Sequence, residues 1–407
     1  MSSERDPYPF ENLMRILVAT VHRDLVGGVE TYLKHLSLLL QDSGHQLAFL
    51  FEQDAVSHRV DYLAPESTSW IIGRKHDGLA AALAWRPDIC FSNSLLCPEN
   101  DSQLIETVPT ILFAHGYYGS CISGTKSHAF PYKSICQMGF KPYCVAAYLT
   151  RRCGGFSPFK MLKLYREERR RQSLLRQYAC VAVASRHMRS VMIQNGVPES
   201  KVHLLPLFPT HGDRDLHPPQ PRPRANTILF AGRITRLKGW THLVPAIAMA
   251  GKQLGQGLAL MVAGDGPDRD KFVRLAAKWN VPLDFRGWLG PESLRALMKQ
   301  ADLLAVPSLW PEPFGLVGIE AGCVGTPAVA YGVGGIPDWL IPGVSGEMAP
   351  GDDLRPEPLA KAMVRALRDA DHWQRLREGA WRQAGQFSRE AHVDRLLPIL
   401  QEAAASR

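Results

Sequence analysis

Short, continuously apolar runs alternate with amphipathic stretches along most of the chain. The first run, MRILVAT (14–20), predicts a strand that is buried on both faces. The stretch after it has apolar residues at Val29, Leu33, Leu36 and Leu40, which predicts an amphipathic helix that ends near Gly44. Further strands are predicted at LAFLFE, WIIG, PDICFSN, TILFAHG and ACVAVAS. This alternation predicts a parallel sheet covered by helices on both faces.

A stretch rich in proline and without apolar periodicity, residues 208–226, interrupts this pattern and predicts a linker. The pattern then starts again. Strands are predicted at TILFAGR, LALMVAG, PLDFRG, DLLAVPS and PAVAYG, and helices around 239–254, 268–279, 291–300 and 315–324. We therefore predict an α/β fold with two doubly wound domains, residues 1–208 and 209–384. Residues 385–407 carry no predicted strand, and we expect a helix there that packs back on the first domain.

Composition agrees with this organisation. A chain of 407 residues is longer than one hydrophobic core usually spans. Its 45% apolar and 21% charged residues are typical of a soluble globular protein, and no apolar run reaches the roughly 18 residues of a membrane span. The first 20 residues lack the basic start and long apolar core of a signal peptide. We therefore expect a cytoplasmic protein with reduced thiols.

Doubly wound domains bind ligands at the carboxyl ends of their strands, so polar residues at these ends are candidates for a site between the domains. The segment AGRITRLKGW (231–240) leaves a predicted strand and supplies two cations, Arg233 and Lys238. The glycines of GDGP (264–267) also follow a strand, and we interpret them mainly as residues of a tight turn.

The segment WPEPFGLVGIEAGCVGTP (310–327) holds two carboxylates eight positions apart. Glu312 precedes a proline and is expected in a loop, because a residue before proline avoids the helical region. Glu320 is expected about a turn and a half inside the helix that follows. There it could accept hydrogen bonds from hydroxyl groups.

These residue types together predict a site for a sugar diphosphate attached to a ribose. The diphosphate is expected to bind two cations. It is also expected to bind the free backbone N–H groups of Phe314, Gly315 and Leu316 at the helix start. Glu320 is expected to accept from the ribose hydroxyls, and Glu312 to contact the transferred sugar. The expected diphosphate cations are Arg233 and Lys238.

The order of motifs resembles that of the retaining glycosyltransferases of family four, which have the GT-B fold. The motifs are GGVE (27–30), HG (115–116), GR-x4-KG (232–239), GDGP (264–267) and E-P-F-G-x4-E (312–320), and they cover nearly the whole chain. The resemblance implies two Rossmann-like domains that face a deep interdomain cleft. It also implies transfer of a sugar, with a hexose expected, from a nucleoside diphosphate sugar to a hydroxyl, with retention of anomeric configuration.

The resemblance also implies roles for individual residues. Gly27 and Gly28 would let the backbone approach the donor phosphates, and His115 would lie near the donor sugar and the reacting centre. A segment near Arg286 would contact the base. The expected catalytic residues are His115, Glu312, Arg233 and Lys238. The chain departs from many relatives at Leu207 and Phe208, where these have an asparagine-glycine pair.

No metal or separate cofactor is expected. The donor is expected to be a nucleotide sugar, with a UDP-sugar favoured over a GDP- or ADP-sugar. The Asp-x-Asp pairs 213/215 and 268/270 lack a convergent set of oxygen ligands for a divalent cation. Cysteines 121, 136, 144 and 153 lie in one loop-rich stretch; a zinc site, free thiols, and disulfides or redox chemistry all remain open for them.

Positive charge is concentrated in one stretch, where residues 142–190 hold 11 Lys and Arg against two acids. Residues 160–178 predict a basic helix. Its segment 160–176 suits an anionic membrane surface, because apolar residues lie next to the bases, or it is simply a solvated face. No readout motif favours nucleic acid. The acceptor is expected to be a glycan, a lipid-linked sugar or a small molecule, as in polysaccharide biosynthesis, at the inner face of the cell membrane.

Two other functions remain compatible with the same scaffold. One is a hydrolase or phosphorylase, which would consume a sugar nucleotide without a sugar acceptor. The other is a sugar-nucleotide-binding protein without activity, which would turn over no donor with any acceptor.

Overall fold

The computed structural model describes residues 13–25, 27–54, 63, 67–73 and 77–405. Most of the N-terminal stretch compared above with a signal peptide therefore lies outside the described residues, as do positions 406 and 407 of the predicted final helix. No helix in the described ranges is long and apolar enough to cross a membrane.

Each strand predicted in the first half is present, and among the described residues seven strands form one parallel sheet. Its order is β3-β2-β1-β4-β5-β8-β9. The strands of this half, including the short antiparallel pair β6–β7, are β1 Arg15–His22, β2 Gln46–Gln53, β3 Ser69–Ile71, β4 Ile89–Ser92, β5 Thr110–Ala114, β6 Ser127–His128, β7 Ser134–Ile135, β8 Cys180–Val183 and β9 Val202–Leu204. The centre of β1 is buried on both faces, as its continuous apolar run predicts.

Helices cover both faces of this sheet. They are α1 Gly28–Asp42, α2 Asp77–Ala84, α3 Pro98–Thr107, α4 Tyr143–Thr150, α5 Pro158–Leu174 and α6 Arg186–Gln194. The predicted helix after β1 is α1, which buries Leu33, Leu36 and Leu40 against the sheet.

The second half repeats the design, and its described strands form a parallel sheet of order β12-β11-β10-β13-β14-β15. Its strands are β10 Thr227–Ala231, β11 Ala259–Ala263, β12 Leu283–Gly287, β13 Leu303–Val306, β14 Ala328–Tyr331 and β15 Gly346–Ala349. Its helices are α7 Trp240–Leu254, α8 Arg269–Lys278, α9 Pro291–Gln300, α10 Val317–Cys323, α11 Pro356–Arg368, α12 Ala370–Ala384 and α13 Arg389–Ala405. The predicted α/β class with two doubly wound sheets is confirmed.

Three elements of the second half were missed by the sequence analysis. They are β15, α11 and α12. For α11 a signal was available, because Leu359, Met363 and Leu367 recur every four residues and are all buried.

The predicted linker has no helix or strand in residues 205–226, but it is packed along the second domain rather than free. Arg222 donates to Asp302 Oδ1 at 3.0 Å and to the Ala301 carbonyl at 2.7 Å. Asp215 pairs with Arg295 at 2.5 Å and with Lys299 at 3.0 Å. These ion pairs hold a segment that cannot form regular structure because of its prolines. The domain boundary at 208/209 stays a prediction.

The final helix, α13, contacts the first domain. The hydroxyl of Tyr32 on α1 donates to His392 Nε2 over 2.9 Å, and His392 Nδ1 donates to the Pro206 carbonyl over 2.7 Å. Phe208, one of the two residues that depart from many relatives, is fully buried against the rings of Tyr32 and His392. An aromatic cluster therefore joins α1, α13 and the chain that follows β9.

This cluster gives a testable dependence of stability on pH. Burial lowers the pKa of His392 to about 4, while a hydrogen bond to Pro206 partly opposes the shift. Between pH 6.5 and 4 the unfolded chain binds the proton and the folded chain does not. This contribution to the free energy of unfolding is therefore present above pH 6.5 and lost as pH falls, by about 2 kcal/mol at pH 5.

Urea unfolding at pH 7.5 and pH 5 should show this loss. The variant His392→Gln carries no titrating ring, so its stability should change less between the two pH values, whatever its absolute stability. The matched control is His217→Gln at an exposed position, which should keep the wild-type difference. An equal pH effect in wild type and His392→Gln would contradict the assignment.

All eight cysteines are free thiols in the structure. Burial raises the pKa of the Cys153 thiol to about 12, and the neighbouring Cys121, Cys136 and Cys144 act in the same direction. No three His, Cys, Asp or Glu side chains in the described ranges are placed to hold a metal ion.

Candidate active site

Most of the predicted site residues follow strands that lie beside the point where the strand order of each sheet reverses. In the first sheet β1 lies between β2 and β4, and in the second β10 lies between β11 and β13. The loops after such strands diverge and leave a crevice, which is where doubly wound domains bind ligands. Gly27 and Gly28 follow β1, Arg233 and Lys238 follow β10, and Glu312 follows β13.

The loop with the two cations depends on closely packed glycines. Gly232 and Gly264 both have positive φ, at 144° and 139°, and a Cβ on Gly264 would overlap the Gly232 carbonyl. Gly264, the first glycine of GDGP, is therefore structural, as predicted, because it lets the loop after β11 lie beside the loop after β10. Within the described residues Arg233 is exposed and makes no ion pair.

Lys238 and Glu312, which the sequence analysis assigned to different parts of the ligand, are paired with each other. Lys238 Nζ lies 2.8 Å from Glu312 Oε1. The same oxygen accepts from Ser308 Oγ and, over 2.9 Å, from Trp310 Nε1. The Glu312 side chain is only 6% exposed, so a charged partner and two hydrogen bonds compensate for its burial. The pair places a cation and an oriented carboxylate at one point of the cleft.

Glu320 is also buried, inside α10 as predicted. Its Oε1 accepts from the Thr210 backbone N–H over 3.3 Å and from Thr210 Oγ1 over 2.9 Å. His211 Nδ1 lies 2.6 Å from the same oxygen. Burial opposes protonation of His211, but the Glu320 carboxylate outweighs it and raises the pKa of this histidine. The segment after β9 thereby orients the carboxylate that we expect to bind ribose.

Helix α10 is shorter than the predicted helix over 315–324, because it begins at Val317. Phe314 is a core residue, 2% exposed and packed on Phe387. Its carbonyl accepts from Trp339 Nε1 over 2.7 Å. Gly315 has φ +87°, a conformation that favours glycine. Phe314 can therefore offer only its backbone to a ligand. The contact of the Phe314, Gly315 and Leu316 N–H groups with phosphate stays a prediction.

The first domain contributes an open helix start and a histidine. Gly28 is the first residue of α1, and a Cβ placed on it would meet no atom within 4 Å, so its backbone is accessible. Gly27 precedes it as the N-cap in extended conformation. His115 follows β5, and its Nε2 lies 2.9 Å from Asn93 Oδ1 at the end of β4.

Hydrogen bonds between the domains bring these residues into one cleft. The hydroxyl of Tyr117, two residues after His115, donates to the Pro311 carbonyl over 2.6 Å. Ser185 Oγ donates to the Pro313 carbonyl over 2.6 Å. These bonds bracket Glu312, so the loop after β13 is held against the first domain on both sides. The strand ends of the two sheets therefore face each other.

Arg286 lies apart from the Lys238–Glu312 pair. It is on β12, at the edge of the second sheet and two strands from β10, where its guanidinium pairs with Asp284 at 2.7 Å. Its predicted place near the base is not tested. The aspartates 215 and 268 pair with lysine or arginine side chains and do not converge on a common point with other acids.

Several partners of the predicted residues were missed. Ser308 and Trp310 lie four and two positions before Glu312, and local spacing could have indicated them. Asn93 lies at a predicted strand end, and that position was an available signal. Thr210 and Tyr117 meet their partners over separations of 110 and 194 residues, and no local pattern reports such contacts.

Parts of this chain are similar to known protein sequences. Residues 213–383 match the family model described as glycosyl transferases group 1. The chain is 35% identical over 227 residues to D-inositol 3-phosphate glycosyltransferase of Salinispora arenicola, over 52% of this chain and 50% of that protein. It is 37% identical over 120 residues to 2-deoxystreptamine glucosyltransferase of Streptomyces kanamyceticus, over 29% and 30% of the two chains. The chain thus spans about half the length of the curated relatives it matches, or less.

Solved structures are similar over nearly the whole chain. Sucrose-phosphate synthase from Thermosynechococcus elongatus has a TM-score of 0.72 at 20% identity, covering 97% of this chain and 100% of the other. The Anabaena protein HepE, in complex with UDP and glucose, has a TM-score of 0.65 at 17% identity, covering 97% and 99%. At these identities the likeness establishes the fold. The group 1 match is carried by residues 213–383, and the chain as a whole has the fold of these structures, the GT-B fold.

Proposed function

We propose that the protein is a retaining glycosyltransferase that moves a hexose from a nucleoside diphosphate sugar to an acceptor hydroxyl without a metal ion. One observation carries the proposal: the Lys238–Glu312 pair is held in the cleft where the strand ends of both sheets meet. Its Nζ–Oε1 distance is 2.8 Å. A UDP-sugar is the favoured donor, and the similar fold of HepE in complex with UDP and glucose supports that choice.

The proposed chemistry needs charge stabilisation at the leaving group. The bond between the anomeric carbon and the phosphate oxygen breaks, and its electron pair leaves with the diphosphate. Lys238 keeps up to two N–H donors for the phosphates while a third binds Glu312, and Arg233 adds a second cation. The acceptor hydroxyl attacks on the same face, and the leaving phosphate takes its proton. Glu312 and His115 orient the sugar.

The proposal is tested with labelled nucleotide sugars. A thermal-shift panel first identifies donors, because a ligand that binds the folded state raises its stability. Transfer of label to an acceptor, in the presence of EDTA and with retained anomeric configuration by NMR, is the expected result. Release of free sugar without an acceptor would favour a hydrolase. Binding without turnover across an acceptor panel would favour a binding protein.

We propose further that α5 brings the cleft to an anionic membrane, where a lipid or lipid-linked acceptor would lie on the cytoplasmic face. Apolar side chains at the start of this helix are exposed, with Phe156 71% and Phe159 87% accessible. Lys160, Lys163 and Arg166 lie beside them and are exposed too. Exposed aromatic residues next to bases are typical of helices that bind at a bilayer surface.

The structure divides the bases of α5 into two groups. Arg171 donates to the backbone carbonyls of Leu95 and Leu96 and lies 3.5 Å from Glu168. Arg170 pairs with Glu99. These two arginines hold α5 on the domain. The second group is Lys160, Lys163, Arg166 and Arg169, which are exposed and make no ion pair outside α5 among the described residues.

Replacing Lys163, Arg166 and Arg169 with glutamine should weaken binding to vesicles that contain anionic lipid by roughly 100-fold at low salt. The reason is that each base near an anionic surface contributes about 1 kcal/mol. Flotation or sedimentation with vesicles measures the effect, and higher salt should reduce binding of the wild type. Activity on a soluble acceptor should survive.

The matched control removes three exposed bases from the second domain, by changing Lys252, Arg274 and Lys278 to glutamine. Its vesicle binding should stay close to that of the wild type. If the wild type ignores anionic vesicles at low salt, or if both triple variants lose binding equally, α5 is only a solvated helix.

A further inference from the structure

The side chain of Asn93 lies between the first sheet and the His115 ring. It is 5% exposed and follows β4 directly. His115 Nε2 lies 2.9 Å from Asn93 Oδ1, so each of these strand-end side chains has the other as a hydrogen-bond partner. The proposed function assigns a place near the sugar to His115 but no role to Asn93.

Backbone carbonyls determine which way the Asn93 amide points. Its Nδ2 lies 3.3 Å from the Phe91 carbonyl and 3.4 Å from the Ala19 carbonyl. Both partners can only accept, so the amide nitrogen must face them, and a flipped amide would place three oxygens together. Oδ1 therefore faces His115. Because Oδ1 can only accept, the hydrogen of this bond is on His115 Nε2.

A neutral imidazole carries one hydrogen, so Nδ1 of His115 holds a lone pair. Burial, and to a lesser extent His392, lower the pKa of His115 to about 3, which keeps the ring neutral at physiological pH. The titratable groups that face the ring are Tyr32 from α1 and His392 from α13, and they bind each other through Tyr32 O–H and His392 Nε2. Neither competes for the His115 nitrogens.

Ring packing restricts the remaining freedom of His115. The Tyr32 ring meets it edge to face at 5.6 Å, and the Phe113 ring lies 4.3 Å away at 49°. A ring packed against two aromatic side chains and bonded at Nε2 can turn only by losing these contacts.

We propose that Asn93 is a positioning residue that holds His115 in the Nε2–H form, so that Nδ1 is presented as a hydrogen-bond acceptor. The inference rests on the proposed function for its consequence: Nδ1 accepts from a hydroxyl of the donor sugar or the acceptor. His115 then serves neither as a proton donor nor as a cation toward the diphosphate.

The first test is independent of any activity. Two-dimensional NMR of protein labelled with ¹⁵N-histidine reports the protonation of each ring nitrogen, and His115→Gln identifies the signals of this residue. The expected result is an N–H-type shift for Nε2 and a lone-pair-type shift for Nδ1, unchanged from pH 6 to pH 8. A proton on Nδ1, or titration of the ring in this range, would overturn the proposal even if sugar transfer is confirmed.

Variants then separate positioning from folding. In Asn93→Ala the His115 shifts should move toward an average of the two forms, and kcat should fall 10- to 100-fold with donor KM within about twofold. Asn93→Asp keeps an acceptor beside Nε2 but puts its second oxygen in place of the amide nitrogen, against the Phe91 and Ala19 carbonyls. It should lose stability yet retain the Nε2–H form of His115.

The matched control is Asn195→Ala, because Asn195 is also 5% exposed and bonds backbone groups, at Phe140 and Val191, away from His115. It should leave the His115 shifts and kcat as in the wild type. Asn93→Ala with wild-type shifts and wild-type kcat would overturn the role of Asn93. If no donor is turned over at all, the proposed function fails while the NMR result still decides the protonation of His115.

Discussion

Replacing Lys238 or Arg233 with alanine is expected to lower kcat/KM for sugar transfer by about 100-fold or more. This corresponds to about 2.7 kcal/mol of transition-state stabilisation, the size seen when an oriented charge partner of a leaving group is lost. Both residues follow β10 at the switch point of the second sheet. Steady-state kinetics with the donor found in the thermal-shift panel measure the effect.

The two variants should differ in stability, which the sequence alone did not indicate. Arg233 is exposed and makes no ion pair with a described residue, so Arg233→Ala should unfold like the wild type. Lys238→Ala leaves the buried Glu312 carboxylate with neutral donors only, and we expect a loss of about 1–3 kcal/mol in the free energy of unfolding. Lys238→Arg should recover stability more than activity.

Arg274→Ala is the control for loss of a base from the same domain, because Arg274 is exposed on α8. Its activity and stability should equal those of the wild type. Rates close to wild type in both Arg233→Ala and Lys238→Ala would remove the assignment of the diphosphate site.

The second large effect concerns the two acids. Glu320→Gln should weaken binding of a nucleoside diphosphate by about 10- to 100-fold, since a charge-assisted hydrogen bond to a ribose hydroxyl contributes about 1.5–3 kcal/mol. Glu312→Gln should leave that affinity within about threefold, because Lys238 keeps its charge, but should lower kcat about 100-fold. Calorimetry with UDP and single-turnover kinetics measure the two quantities separately.

Thr210→Val provides a matched variant for Glu320→Gln. It removes the hydroxyl that donates to Glu320 Oε1 over 2.9 Å but leaves the carboxylate charge in place. We expect a smaller loss of UDP affinity than in Glu320→Gln. Equal losses of affinity in Glu312→Gln and Glu320→Gln would contradict the division of roles between the acids.

The motif segments predicted where the candidate residues lie along the chain, but not their partners. Glu312 and Glu320 are in a loop and a helix as their spacing indicates. That Glu312 binds Lys238, and Glu320 binds Thr210 and lies against His211, follows from contacts over 74, 110 and 109 residues. Spacing along a helix or a strand reports only neighbours a few residues away.

By itself, the sequence determined the class of fold and the strand ends at which most candidate residues lie. Continuous apolar runs can be buried as strands only in sheets that are covered on both faces. In sheets of this topology, ligands bind at the carboxyl ends of the strands. Only the tertiary structure decided which charged side chains form ion pairs, which bases of α5 bind the rest of the domain, and which side chain is the hydrogen-bond partner of His115. These properties depend on burial and on partners from distant segments. The Asn93 amide, for example, is oriented by the carbonyls of Ala19 and Phe91. No local pattern in the sequence reports such contacts or their free energies.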